Sequence, residues 1–531
     1  MRIGIYNRYW NTLGGGEKYA GTLAETFSEK HDVDLITTAP NNTIEELQRR
    51  LRLDLHRCRP VCWPNKPCRD LYPLSSAYDL FINATYCSSM PSAAPLSLYV
   101  CFFPHPVVGA TTWQQLATLA GQRVRAISEQ ARDRMESCWS LLRRPRAILL
   151  AGYHDRGASG QGCFAGHGLM AIHASALSAG RLHIPLHESS TSNVRSVRVD
   201  GVPASWTIHD HTLVVEWPIA PIKDWMVLAF ETDTSDQPKS KLSSKYRATG
   251  LCINTTTLGA VIDRGFRNRL FPPASASIAI NSYTRILAIS EFTSRWVQTR
   301  WNRTSELLPP SIDTDMFTFD PAVPRQPVIL SVGRFFHGSH NKKHHEMARA
   351  FIRLRSEGVI PEGWRLRFIG SRHTDRWQHR LFFKKLERIC AGHPIDILTD
   401  LPFPALLKEY QQAHAYWHAA GWGEKEDSTP ELHEHFGITT CEAMACGCLP
   451  IVIDSAGQRE IVRGVQQAGF LFEDYASLKK QMTECVSVFG TERVTTMRGI
   501  AHDSIMKYSK ASFVSKAEAI LRDLKYDRLR D

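Results

Sequence analysis

The sequence predicts an α/β protein of two Rossmann-like domains, with a small β insertion inside the first. Three observations lead there. The opening residues alternate strand, turn, helix and strand: RIGIYN, the glycine-rich NTLGGGE, the amphipathic EKYAGTLAETFSEK and DVDLITT. A second alternating run of short apolar strands and helices begins at VILSVGRF, which implies another parallel sheet covered on both faces. Between the two, residues 151–262 turn glycine-rich and then alternate residue by residue, as half-buried antiparallel strands do. At 531 residues the chain is too long for one hydrophobic core, so several domains are expected.

The expected boundaries are 1–150 for the first part of the N-terminal domain, 151–262 for the insertion and 263–312 for the second part. A C-terminal domain follows over 313–505, and 506–531 forms a last helix. Gly14, Gly15 and Gly16 let the backbone approach a ligand and expose N–H groups at a helix start. The third position of a G-x-G-x-x-G pattern is Tyr19, and no G-K-S/T follows, which disfavours dinucleotide oxidoreductases and P-loop NTPases. From Thr112 to Arg146 the chain is basic and helical in pattern, with Arg123, Arg125, Arg132 and Arg134 interleaved with Trp113, Leu116, Ile127 and Trp139. That surface suits either an anionic membrane or a solvated helix face. The histidines of the insertion lack ligand spacing and read as surface residues. Asp313-Thr314-Asp315 is formally a D-x-D, but its place after Pro309-Pro310 in a linker makes a metal site there a poor reading.

Composition narrows the class. Hydrophobic residues make up 43% and charged residues 22%, which is ordinary for a globular protein. No run approaches the roughly 18 apolar residues of a membrane span, and MRIGIYNRYW reads as a first strand rather than a signal peptide. Thirteen scattered cysteines favour reduced thiols in a cytoplasmic protein, peripheral at most at the inner face of a membrane. His56, Cys58, Cys62 and Cys68 cluster, yet the spacing has no matching second half for structural zinc. A formal charge of +11 suits a polyanionic or phosphate-bearing partner. No nucleic-acid-binding motif accompanies it, so no nucleic acid partner is expected.

The most specific stretch is EHFGITTCEAMACGCLPIV. It sets Glu434 before a glycine turn and Glu442 on the helix that follows, with backbone N–H groups near Gly437 to Thr440 ready for a diphosphate. Carboxylates accept paired hydrogen bonds from vicinal hydroxyls, so the two acids suit a nucleotide-sugar. The string closely resembles the E-x7-E motif of retaining glycosyltransferases of family 4. Phe436-Gly437 fits the FG after the first Glu, and Glu442 to Pro450 resembles EAMA-x-G-x-P with one residue more before the proline. AGQREIV (Ala456 to Val462) resembles the family's GG-x-x-E-I/L-V, with Ala456 in place of the first glycine. SEFT, PP and Phe317 resemble the strand-to-linker signature.

The resemblance covers roughly 1–110 and 280–530 and implies the GT-B fold, two Rossmann-like domains facing a cleft. It implies a nucleoside-diphosphate sugar as donor, with Arg334 and Lys342 at the diphosphate. Ala350-Phe351 sets the register that selects Lys342 over Lys343. By the same resemblance Glu434 contacts the transferred sugar and Glu442 the ribose. Phe436, Gly437, Ile438 and Thr439 offer backbone N–H groups, Leu401 walls the base, and Gly15 and Gly16 face the donor across the cleft. Glu434, Arg334 and Lys342 are the expected catalytic set, with Glu434 positioning and stabilising charge rather than acting as a covalent nucleophile. The departing phosphate would take the acceptor proton. No metal or other cofactor is required, since the cations and the helix end supply the charge.

On the acceptor side SLYVCFFPHP departs from the family's His-aromatic-Pro: Phe102 falls at the histidine and His105 follows Pro104, leaving His105 as the acceptor candidate. The expected activity is hexosyl transfer to a glycan or lipid-linked acceptor in polysaccharide or glycolipid synthesis. A non-catalytic carbohydrate-binding protein and a sugar-nucleotide epimerase are the alternatives.

Overall fold

A computed structural model describes residues 1–38, 44–64, 71–105, 147–155, 161–173, 177–178, 180–186, 194–199, 202–216, 225–232, 251–254, 260–262, 279–338, 341–465 and 467–530. The basic stretch 112–146 and Cys68 lie outside the described residues. The chain divides into two compact units. One holds Met1–Leu287, Thr299–Arg303 and Arg522–Asp531; the other holds Ala288–Gln298 and Thr304–Leu521.

In the first unit the strand Arg2–Tyr6 pairs in parallel with Asp32–Thr37 on one side and Leu80–Asn83 on the other. Cys58–Cys62 and Leu96–Cys101 extend the sheet outward, also in parallel. The inner strands are short, apolar and buried on both faces, with Ile3, Ile5, Val33, Ile36 and Ile82 at 0% exposure, the composition that parallel sheets require, while the edge strand Cys58–Cys62 is largely exposed. Trp63 stacks on Tyr6 and Phe81 with ring centroids 5.8 and 5.9 Å apart, filling the space beside the sheet.

The alternating region is a separate β layer within this unit. Gln161–His173 is its longest strand and pairs antiparallel with Trp225–Thr232, which pairs with Val194–Val199. A four-stranded sheet of Leu177–Ser178, Arg181–Pro185, Thr212–Glu216 and Trp206–His209 accompanies it. Met170, Ile172, Leu182, Ile184, Leu213, Val215 and Leu228 form the shared core. The tight turn falls on Asp210 and His211, at φ 44° and 57°, the positive values that a two-residue hairpin demands at both central positions. One pairing differs from the all-antiparallel expectation: Ala260–Ile262 runs parallel to Ala147–Asp155. A connection as long as the one between them lets the returning strand enter in either direction.

The second unit is a six-stranded sheet, parallel throughout, in the spatial order Ile395–Thr399, Arg365–Gly370, Gln326–Val332, Ala413–His418, Leu449–Ile453, Phe470–Phe472. The chain builds outward from Gln326–Val332 in one direction, then returns and builds in the other. Strand order therefore reverses between Val332 and His418. In an open α/β sheet the crevice beyond the carboxyl ends of the strands at such a point is where ligands bind.

Candidate active site in the second unit

The switch point sets two loops side by side. Val332 leads into Gly333 and Arg334, and the helix His344–Ser356 follows after a turn whose last residue, Lys343, has φ 59°. His418 leads through Gly421 to Glu434 and the helix Ile438–Ala445. Lys342 and Glu434, 92 residues apart in sequence, meet here: the Lys342 ammonium donates to Glu434 Oε2. His418, 1% exposed, puts its Nε2 3.2 Å from the same oxygen. Burial pushes the Glu434 carboxyl upward, but the Lys342 charge and the His418 contact outweigh it and hold the group well below the usual carboxylate range. Lys343 points elsewhere and pairs with Glu424 at 2.7 Å.

Gly437 begins the helix at φ 120°, and no side chain caps that end. A Cβ here would lie 2.2 Å from Gln458 Nε2, so glycine is required by conformation and by space together. Gln458 is held in turn by Thr440 Oγ1 at 2.8 Å. Gly457 lets the next helix touch the loop: its N–H donates to the Glu434 carbonyl at 3.0 Å, and a Cβ would sit 2.6 Å from the His435 carbonyl oxygen. The first-glycine substitution noted in the sequence, Ala456, keeps the left-handed conformation at φ 48° and donates its N–H to Glu426. Glu460, of the same run, accepts the N–H groups of Glu291 and Phe292 and closes the start of the helix Glu291–Trp301. Burial pushes its carboxyl up to about 7.

The remaining expected residues fall as follows. Glu442, one turn into the helix, accepts from the Tyr410 hydroxyl at 3.1 Å. Thr439 accepts from the Tyr416 hydroxyl at 2.7 Å. Phe436 is buried and Ile438 half-buried, both on the loop–helix junction. Arg334 is exposed, its guanidinium 5.2 Å from the Phe336 ring centroid. Leu401 is half-buried just past Asp400, which has φ 55°.

Gly15, Gly16 and His105 belong to the first unit. Gly15 and Gly16 open the helix Gly15–Ser28, where Glu17 turns back to accept the Gly14 N–H at 2.8 Å and the Thr12 hydroxyl at 2.5 Å. His105 is half-buried against Trp301, whose indole N–H donates to the His105 carbonyl at 3.0 Å. Burial, then the Arg300 charge, lowers its imidazole. Asp313 serves a turn, its Oδ1 accepting the Met316 N–H at 3.3 Å. Among the described residues no group of three or more His, Cys, Asp and Glu is placed to hold a metal ion, and the described cysteines are unbonded.

The sequence reading missed His418, Tyr416, Tyr410 and Gln458. One signal was available: AYWH is an apolar strand ending in a polar residue, and polar side chains at the carboxyl ends of parallel strands are where α/β sites are built.

The architecture is α/β with two parallel sheets, the GT-B fold of glycosyltransferases. Residues 315–487, about a third of the chain and all within the second unit, match the family described as glycosyl transferases group 1. Over 207 residues the chain is 26% identical to a GDP-Man:Man(3)GlcNAc(2)-PP-Dol alpha-1,2-mannosyltransferase of Xenopus laevis, covering 36% of this chain and 39% of that one. The chain thus spans about two fifths of the length of the curated relative it matches. Sucrose-phosphate synthase from Thermosynechococcus elongatus has a similar structure, with a TM-score of 0.52 at 12% identity, covering 99% of this chain and 100% of that one. Anabaena HepE in complex with UDP superposes with a TM-score of 0.51 at 10% identity, covering 98% of this chain and 100% of that one.

Proposed function

We propose that the chain transfers a hexosyl group from a nucleoside-diphosphate sugar to a glycan or lipid-linked acceptor, with retention at the anomeric carbon, as retaining glycosyltransferases of family 4 do. One observation carries the reading. At the switch point of the second sheet, Glu434 is held ionised by Lys342 beside a helix N-terminus that no side chain caps.

The chemistry follows from those parts. The diphosphate enters at the uncapped end of Ile438–Ala445, where backbone N–H groups and the helix dipole favour an anion. Arg334 and Lys342 neutralise the charge that grows on the β-phosphate as the sugar leaves. Preorganised cations need no reorganisation at that moment, and losing one costs about 10²–10³ in rate. Lys342 meets Glu434 before any donor arrives, so the incoming phosphate competes for its ammonium and leaves the carboxylate to the hydroxyls of the sugar. Glu442, anchored by Tyr410, faces the ribose hydroxyls, and Leu401 borders the base. This charge set serves the diphosphate without a metal ion. His105 and the glycines at 15 and 16 are the acceptor-side and donor-side contributions of the first unit.

The Xenopus relative uses GDP-mannose on a lipid-linked oligosaccharide by its name, which supports GDP-mannose as the first donor to try. It also supports an acceptor on a lipid carrier, with the protein peripheral at the cytoplasmic face. Among the described residues no helix is long and apolar enough to cross a membrane.

Transfer assays with GDP- and UDP-hexoses test the proposal, with NMR of the product reading the anomeric configuration. The expected result is a retained linkage and loss of transfer in Glu434→Ala. Equal activity in wild type and variant would remove Glu434 from the mechanism. Conversion of the donor with no acceptor present would mean an epimerase. Sugar binding without turnover would mean a carbohydrate-binding protein.

A further inference from the structure

His418 has no place in the motif that surrounds it, yet the sheet delivers it to the centre of the site. It ends the strand Ala413–His418, beside the strand that leads to Arg334. It is 1% exposed, and neither Nδ1 nor Nε2 makes a hydrogen bond of good geometry among the described residues. The polar atom near its ring is Glu434 Oε2, 3.2 Å from Nε2. An imidazole buried in a strand with both nitrogens short of a well-formed hydrogen bond is a poor packing choice, since an apolar side chain of similar size would leave nothing unsatisfied.

We propose that His418 is a positioning residue for Glu434: its Nε2–H fixes the carboxylate in the ionised form and in one orientation, so that the acid stays set when the donor phosphate draws Lys342 away. This rests on the reading of Glu434 as the sugar-contacting acid.

The geometry explains why a histidine serves and a second cation would not. Oε2 already receives the Lys342 ammonium, so a neutral donor on its other side adds a hydrogen bond without another buried charge. A ring facing a carboxylate through Nε2 carries its proton there. The titratable or charged groups around it are Glu434, Lys342 and His344. Burial and the Lys342 charge keep the ring neutral against the pull of Glu434, so it donates without acting as an acid. When phosphate binds Lys342, the Nε2–H, 3.2 Å away, becomes the donor to Glu434.

Two substitutions separate positioning from packing. His418→Leu removes the donor at similar volume. His418→Gln places an amide N–H where the imidazole Nε2–H stood. In His418→Leu, kcat is expected to fall about 10- to 100-fold, and the acid limb of the pH–rate profile, set by protonation of Glu434, moves upward by about one unit. His418→Gln recovers most of both. Calorimetric affinity for GDP and UDP without a sugar stays at the wild-type value in each variant, because it depends on Arg334, Lys342 and the helix end.

An unmoved acid limb in His418→Leu, or a loss of nucleoside diphosphate affinity as large as the loss of rate, would overturn the proposal. A second readout needs no turnover. The ¹³C carboxyl resonance of Glu434, assigned by its disappearance in Glu434→Gln, titrates at higher pH in His418→Leu and returns in His418→Gln. If wild type transfers no sugar, the proposed function fails, and this titration still decides whether His418 sets the acid.

Discussion

In the first unit the helix Gly15–Ser28 has a carboxylate of its own folded back at its start: Glu17 takes the Gly14 N–H and the Thr12 hydroxyl, and Asn7 donates to its other oxygen at 3.3 Å. In the second unit the helix Ile438–Ala445 begins at Gly437 with no side-chain cap, and the nearby acid, Glu434, is turned toward Lys342 and His418 instead. Both places read as a glycine turn opening a helix at the end of a strand. In one the anion at the helix end is part of the protein. In the other the carboxylate faces a lysine instead. Under the proposed function, the glycine turn that suits a phosphate is the one whose nearby carboxylate is drawn away from the helix end.

The largest expected effect breaks or confirms that contrast. Lys342→Ala should cut transfer by about 10²–10³, while Glu17→Ala should lower the unfolding free energy by about 1 kcal/mol and leave the rate per folded molecule near wild type. Initial rates paired with urea denaturation measure both. Comparable rate losses in the two variants would make the ends equivalent.

Gly437→Ala is next. A side chain would be forced to φ 120° and into Gln458, a cost of about 1–3 kcal/mol from conformation before the clash is counted. Stability and donor affinity should fall together, read by denaturation and by calorimetry with GDP and UDP. Unchanged stability would show that the turn can re-form without its glycine.

Acid should also separate the units. Burial lowers His344 to about 3 and His414 to about 3, both in the second unit. Each is neutral when folded and takes up a proton on unfolding, so the unfolded chain binds more protons between about pH 3 and 6.5, and stability rises with pH across that window. It is fully present above about 6.5 and lost as pH falls toward 3. Glu434, held low, loses its own contribution further down, below the ordinary carboxylate range. Hydrogen exchange at pH 5 should thus open 326–505 before 1–105; the reverse order would refute the assignment.

The smallest effect is at Ala456. A non-glycine residue in the left-handed region costs about 1 kcal/mol, so Ala456→Gly should stabilise the second unit by up to that amount, less the entropy that glycine adds to the unfolded chain. A destabilised variant would mean that the Ala456 side chain, 2% exposed, contributes more in packing than its conformation costs.

The parallel strands and their helices were legible because apolar runs bounded by turns carry their own period, and the Glu434–Glu442 string was legible because chemistry and turn lie within a few residues of each other. The choice of Lys342 over Lys343 came from register along one helix, and the structure turns the two lysines to Glu434 and Glu424 respectively. The parallel entry of Ala260–Ile262 could not be read, since nothing local sets a strand's direction after a long connection. Nor could the occupation of the first glycine turn by Glu17: the four residues from Gly14 to Glu17 suit a capped helix and an open anion site equally well.

By itself the sequence determined the class of fold and the position of the glutamate turn, because each depends on neighbours along the chain. Tertiary structure alone decided that His418, Lys342 and Glu434 share one oxygen atom. Those residues come from two strand ends far apart in sequence, and only the reversal of strand order at Val332 and His418 draws them together.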